Sequence, residues 1–403
     1  MVIRFGAAAL FLSLVAVPAC GRSNKTPQPT SSSTAASPIP PGSSRAPPIA
    51  SAAPAPLAAP VESAAPVAST ELAAARSDLV HCKAIGKRNP VTIGILRETI
   101  VDMETEGDSI FVFGFHRGLA RLSLIQYRRD GTPPTVIARH TALGEPKGPV
   151  LMPEAAYYTR NKTLYRMPRG GGDVVELAKG FSYEIAVHGG YVYGVSCDAK
   201  RPTDQLNRVS TNGGPVEVLA DIDHVKPEQQ TAGTFYCDYH SLAADDAAVY
   251  VTHWNELRVL RISLVDRSVT TLATRAIFPS SLYLQGDEIF FQGGSGVYRC
   301  SKTKADAQRV TELGGSPWSS VLYTAKGLVI YEPAPAGGYA RDAWIYEVPW
   351  ATGKAQKVQY FKLLKPDEFP PSLGVLGFSA DDECIYYARD LEKYIVLYAR
   401  SRP

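Results

Sequence analysis

The sequence lacks most of the features that announce a chemistry. Charge of one sign is missing, since 42 Lys and Arg stand against 39 Asp and Glu. A net of +3 over 403 residues gives no surface organised to steer polyanions, and nucleic acid is not an expected partner. Methionine is scarce, at 4 residues, against 21 Tyr and 13 Phe. With 33 Gly and 31 Pro, that excludes a helical bundle and points to many short strands joined by turns. GxSxG, HExxH, a phosphate-cradling glycine loop and an EF-hand-like DxDxDG are all absent, and no CxxC or HxxxH occurs. The seven His residues show no ligand spacing, so neither a metal nor a cofactor is expected. Long apolar runs are missing too, apart from Phe5 to Val17, which is too short to span a bilayer but suits a signal-peptide core.

That run follows Arg4 and ends in Val17-Pro18-Ala19-Cys20. The ending resembles the bacterial lipobox, which implies cleavage before Cys20 and lipid on its thiol. Gly21, in place of Asp, implies the outer membrane by the enterobacterial sorting rule. Pro18 departs from the usual pattern, and cleavage after Ala19 to release a secreted protein is the alternative. From residue 21 to 70, Ala, Pro, Ser and Thr fill 37 of 50 positions. Such a stretch has too little apolar surface to offset the entropy of ordering, and its prolines keep it extended. The expected organisation is a signal peptide over 1–20, a disordered tether over 21–76 and a folded domain over 78–403.

The folded part is built on a repeat. A turn followed by a β-branched and an aromatic or apolar residue recurs at Asp108–Phe111, Glu154–Tyr157, Gly190–Tyr193, Ala247–Tyr250, Asp287–Phe290, Gly327–Ile330 and Glu383–Tyr386, about 46 residues apart on average. A second strand follows each anchor: Leu119–Ser123, Leu164–Pro168, Leu206–Ser210, Val259–Ser263, Val297–Ser301, Ile345–Pro349 and Ile395–Ala399. Turns such as Gly170-Gly171-Gly172 and Asn212-Gly213-Gly214 lead to another strand, because glycine accepts positive φ without steric cost. Adding the strand before each anchor gives four antiparallel strands per unit, A to D, which is one blade of a β-propeller. The runs Gly172–Gly180 and Asn212–Asp221 resemble secreted bacterial propellers of the YWTD-like class, a resemblance that specifies a fold and not a reaction. The expectation is an all-β, seven-bladed propeller, with six blades as the alternative if Glu154–Tyr157 is not a unit of its own. Too few residues follow Tyr398 for a last strand D, so Val91–Leu96 is expected to supply it and close the ring.

In such a meander the A–B and C–D connections leave one end of the blade and the B–C and D–A connections the other. The A–B turns are short throughout, whereas the irregular and long connections all belong to the second end, where binding residues are expected. The candidates there are Tyr236, Asp238, His240, His253, Trp254, Glu256, Trp318, Tyr339 and Arg341, with Trp344 beside them. The strand C arginines 121, 166, 208, 261 and 299 suggest an anion ring, but packed stems with paired or solvated heads are the expectation. If Cys20 is lipidated, the Cys197–Cys237 pair is expected to be a disulfide pinning the 222–240 connection. Cys82 and Cys384 make a possible second bridge, leaving Cys300 as a buried thiol, and a zinc site competes without any supporting spacing. The leading functional reading is a monomeric, lipid-anchored envelope propeller that binds a protein or envelope ligand and meets the membrane through its anchor alone. The alternative is a hydrolase or lyase using His240 with Asp238, and His253 with Glu256, at the channel mouth.

Overall fold

The computed structural model describes residues 91–402 apart from 97, 131, 142–145, 183, 198–202, 224–238, 254–256, 275–278, 306, 317–318, 334–341, 363–374, 382 and 391–394. The expected signal peptide, Cys20 and the tether lie outside the described residues. The described chain forms seven four-stranded antiparallel sheets. Blade 1 is Thr99–Glu106, Ser109–His116, Arg121–Arg128 and Thr135–Thr141. Blade 2 is Lys147–Leu151, Ala155–Arg160, Thr163–Pro168 and Val175–Lys179. Blade 3 is Ile185–His188, Tyr191–Ser196, Thr203–Ser210 and Glu217–Asp223. Blade 4 is Tyr239–Ala244, Ala248–His253, Arg258–Ser263 and Val269–Thr274. Blade 5 is Ser280–Gln285, Glu288–Gly293, Gly296–Ser301 and Gln308–Thr311. Blade 6 is Ser320–Thr324, Gly327–Pro333, Asp342–Pro349 and Gln356–Lys362. Blade 7 is Val375–Ala380, Cys384–Asp390 and Ile395–Ser401, with Val91–Leu96 as its fourth strand, so that Val91 pairs with Ala399 and Leu96 with Ile395. The unit containing Glu154–Tyr157 is a sheet of its own.

Packing arranges these sheets in a cycle. Each consecutive pair of blades shares one apolar cluster, and the last cluster joins blade 7 to blade 1 through Cys384, Tyr386 and Leu397 on one side and Met103, Ile110 and Val112 on the other. The alternation of side chains along a strand explains why each sheet can serve two neighbours. In blade 2, Ala155 and Tyr157 enter the cluster shared with blade 3, while Ala156 and Tyr158 enter the one shared with blade 1. A strand buried on both faces therefore reads as an unbroken apolar run.

The cross-strand register corrects the assumed frame of two strands C. The anchors Tyr157, Tyr193, Tyr250 and Phe290 lie directly opposite Arg166, Arg208, Arg261 and Arg299. In blade 1 the residue opposite Phe111 is Gln126, and in blade 7 the one opposite Tyr386 is Ala399. The equivalents of the repeat are thus Leu124–Arg128 and not Leu119–Ser123, and in blade 7 the frame moves two residues beyond Ile395–Ala399. Both strands are longer than the repeated five-residue unit and apolar along much of their length, so more than one frame fitted the pattern. In blade 6, Val329 and not Ile330 faces the strand C position, which Glu347 occupies.

With the frame corrected, a second repeat appears. In six of the seven blades the residue three beyond the strand C position reaches back to the preceding blade. Arg129 pairs with Asp381, whose other oxygen accepts from the backbone of Glu383 and Cys384 and caps the A–B turn. Lys302 pairs with Asp245 at 2.7 Å, and Asp245 caps its turn at Ala247 and Ala248 in the same way. Arg169 pairs with Glu106 at 2.5 Å and lies 3.5 Å over the Phe111 ring, and Arg402 pairs with Glu347. Trp350 packs on Phe290 and Leu264 on the cluster shared with blade 3. Thr211 makes only a backbone bond to Gly190 within its own blade, and His188 to Asp246 at 2.7 Å adds a polar tie between blades 3 and 4. The strand C arginines themselves serve structure: Arg166, Arg208 and Arg261 stand directly across the sheet from Tyr157, Tyr193 and Tyr250, whose phenols feel their positive charge. Arg208 also pairs with Glu217 at 2.7 Å. Arg121, outside the repeat frame, pairs with Glu98 at 3.2 Å.

Candidate functional site

The connections at the two ends differ in kind. At the A–B and C–D end they run from two residues, as at 107–108 and 189–190, to six, as at 129–134 and 302–307. At the other end they run from two, as at 161–162, to the fifteen of 224–238. The short end carries the turn caps and cation ties, so its geometry is committed to holding blades together. The variable end carries the differences between blades.

Several side chains brace that variable end from below. The connection 312–319, which bears Trp318, is held by two strand residues. Gln292 donates to the carbonyls of Gly314 and Ser319 at 2.7 and 3.2 Å. Glu332 accepts from the Gly314 amide and the Ser319 hydroxyl, both at 2.7 Å. Burial raises the Glu332 carboxyl above the ordinary range, and these two bonds pull it partly back. Cross-strand from Glu332 lies Trp344, and beyond it Tyr360 on the outer strand. The Trp344 and Tyr360 rings are 4.8 Å apart at 46°, and Tyr346 stands 6.4 Å from Trp344.

Carboxylates also sit where chain enters the innermost strands. Glu98, 5% exposed, accepts from Ser123 at 2.8 Å and Arg121, while its second oxygen is buried with no hydrogen-bond partner among the described residues. That oxygen lies where a Cβ on Gly114 would be 3.0 Å away, so a side chain there would require Glu98 to give way. Glu184, just before strand A of blade 3, is half-buried, and burial pushes its carboxyl up to about 8, with the charge of Lys147 opposing. In chain position Asp238 matches them, immediately before strand A of blade 4.

Most residues expected to bind lie outside the described ones: Tyr236, Asp238, Trp254, Glu256, Trp318, Tyr339 and Arg341, as does Cys237, the expected disulfide partner of Cys197. His240 falls in strand A of blade 4 at a register shift between Tyr239 and Ser241, and His253 is buried, 4% exposed, opposite Tyr239. Among the described residues no group of three His, Cys, Asp or Glu is arranged to hold a metal ion. Cys197 and Cys384 are both disulfide-bonded. Cys300 is a buried thiol. Glu332, Gln292, Tyr346 and Tyr360 escaped the sequence reading because they belong to ordinary strand patterns. The extension of strand B through Pro333, legible as an apolar run ending in a proline, was the available signal for Glu332.

Neither a protein-family model nor a curated protein matches the sequence. Solved structures do. An oligogalacturonate lyase from Vibrio parahaemolyticus aligns with 78% of this chain and 92% of its own at TM-score 0.50 and 13% identity. The shared property is the fold. The WD40 repeats of RRP9 align equally well, over 78% of this chain and 100% of that one, at TM-score 0.50 and 10% identity. A WD40-repeat protein and a lyase are thus similar to this propeller in architecture, and at these identities neither carries its chemistry across.

Proposed function

We propose that this chain is an envelope-anchored binding module that engages a protein or cell-envelope ligand through the variable end of its propeller. The observation that carries the reading is the division of labour between the two ends. One is short, capped and tied by Arg129, Arg169, Lys302 and Arg402, and the other carries all the long connections on a rigid support. Trp254, Trp318, Tyr339 and Arg341 are the residue types that dominate binding surfaces. In this reading Cys20 carries lipid, Cys197 bonds Cys237 and holds the 224–238 connection, and Cys384 bonds Cys82. The family-level likeness to secreted YWTD-like propellers fits it.

Pull-down from native envelope should recover a ligand with the wild type and lose it with Trp254→Ala/Trp318→Ala. Recovery of the same species with both proteins removes the proposal. Palmitate labelling of wild type and not of Cys20→Ala is the matching result for the anchor. A second reading, a hydrolase or lyase at the channel mouth, draws on Glu184, whose carboxyl holds a proton near neutral pH beside Lys147. Turnover of an envelope polysaccharide that Glu184→Gln abolishes would favour it over binding alone.

A further inference from the structure

We propose that Trp344, Tyr346 and Tyr360 form a binding site for an organic cation, a quaternary or methylated ammonium group, and that Lys357 fills it when no ligand is present. The inference rests on the variable end being the binding end and names the chemistry that one part of it accepts. The Lys357 ammonium lies 4.4 Å from the centre of the Trp344 ring, inside the distance at which a ring quadrupole attracts a cation. Among the described residues Lys357 makes no ion pair, and the contact that places its charge is the aromatic face of Trp344. Tyr346 lies directly opposite Lys357 across the sheet, and Tyr360 closes on Trp344 from the outer strand. Glu332, opposite Trp344 on the inner side, adds a carboxyl to the same row.

Access comes from a mismatch in strand length. The outer strand of blade 5 has four residues, Gln308–Thr311, and that of blade 6 has seven, Gln356–Lys362. Tyr360 is 40% exposed as a result of standing near the variable end of the longer strand. A flexible surface lysine resting on such a face is a ligand of low cost to displace, because its stem has few packing partners. An ammonium carrying methyl groups has less water to lose than a primary one and gains more from the rings.

The test titrates the full chain with tetramethylammonium and with choline, following tryptophan fluorescence and heat against sodium chloride at equal ionic strength. Wild type should bind both weakly, and Lys357→Met should bind two- to fivefold tighter, corresponding to the roughly 0.5–1 kcal/mol of an exposed cation–π contact that the ligand no longer competes with. Trp344→Leu and, separately, Tyr360→Leu in the Lys357→Met background should abolish the response, with unchanged urea midpoints showing intact folds. No saturable response in wild type and Lys357→Met, equal affinity in the two, or a response to methyl glucoside in place of the ammonium probes would overturn the proposal. Choline binding that survives in Trp254→Ala/Trp318→Ala while envelope capture is lost would separate this site from the wider reading. Envelope capture without choline binding would sink only the cation site.

Discussion

Replacing Arg402 with alanine is expected to destabilise the protein by about 3–5 kcal/mol, read as a fall in urea midpoint at unchanged slope. Arg402 and Glu347 are 5% and 8% exposed, and two guanidinium nitrogens meet one Glu347 oxygen, the Nε at 2.8 Å. The third nitrogen donates to the Asp381 carbonyl at 2.9 Å, so one side chain ties blade 7 to blade 6 and to its own A–B turn. Truncation leaves the Glu347 carboxylate enclosed with no counter-charge, and that uncompensated burial is most of the loss. Replacing both partners, Arg402→Met with Glu347→Leu, should recover most of the stability because no buried charge is then left alone. A single variant that melts with the wild type would show that the pair is solvated in solution.

The second large effect is a pH dependence. The Glu184 carboxyl is raised to about 8 in the folded protein by burial, against an ordinary value near 4.5. Below the ordinary value both states carry the proton and the group is neutral toward folding. As pH rises beyond it the unfolded chain releases the proton and the folded one keeps it, so stability falls until pH passes the folded value. Wild type should lose on the order of 2–3 kcal/mol from this group between pH 5 and pH 8. Glu184→Gln removes that slope and should melt higher than wild type at pH 8, and similar at pH 5. Parallel melting profiles for the two proteins would contradict it.

The architecture was legible because each blade repeats a turn, an anchor and a facing strand in one order. Tyr157, Tyr193, Tyr250 and Tyr386 mark that order plainly, since each occupies the same place in the pleat. The frame slipped where the strand outgrew its repeat: in blade 1, Leu119–Ser123 and Leu124–Arg128, five residues apart, both place apolar residues first and fourth around a polar third. Only the pairing of Phe111 with Gln126 decides between them. The ties from Arg129, Arg169, Lys302 and Arg402 were hidden for the same reason, because their common spacing appears once the frame is right. The variable end was legible as a place and not as a set of atoms. Trp344 stood out by residue type, but Tyr360 and Lys357 gain their meaning from cross-strand register, which sequence spacing does not carry. Glu184 looks like any acid before a strand until the apolar surroundings that raise its carboxyl are known.

Because Val91–Leu96 hydrogen-bonds to Ile395–Ser401, a ribosome must deliver nearly the whole domain before its first strand has anything to pair with. Six sheets can assemble in passing during translation, while the opening segment waits as an unsatisfied edge for the end of synthesis. The step that locks the molecule is therefore the last one available to it.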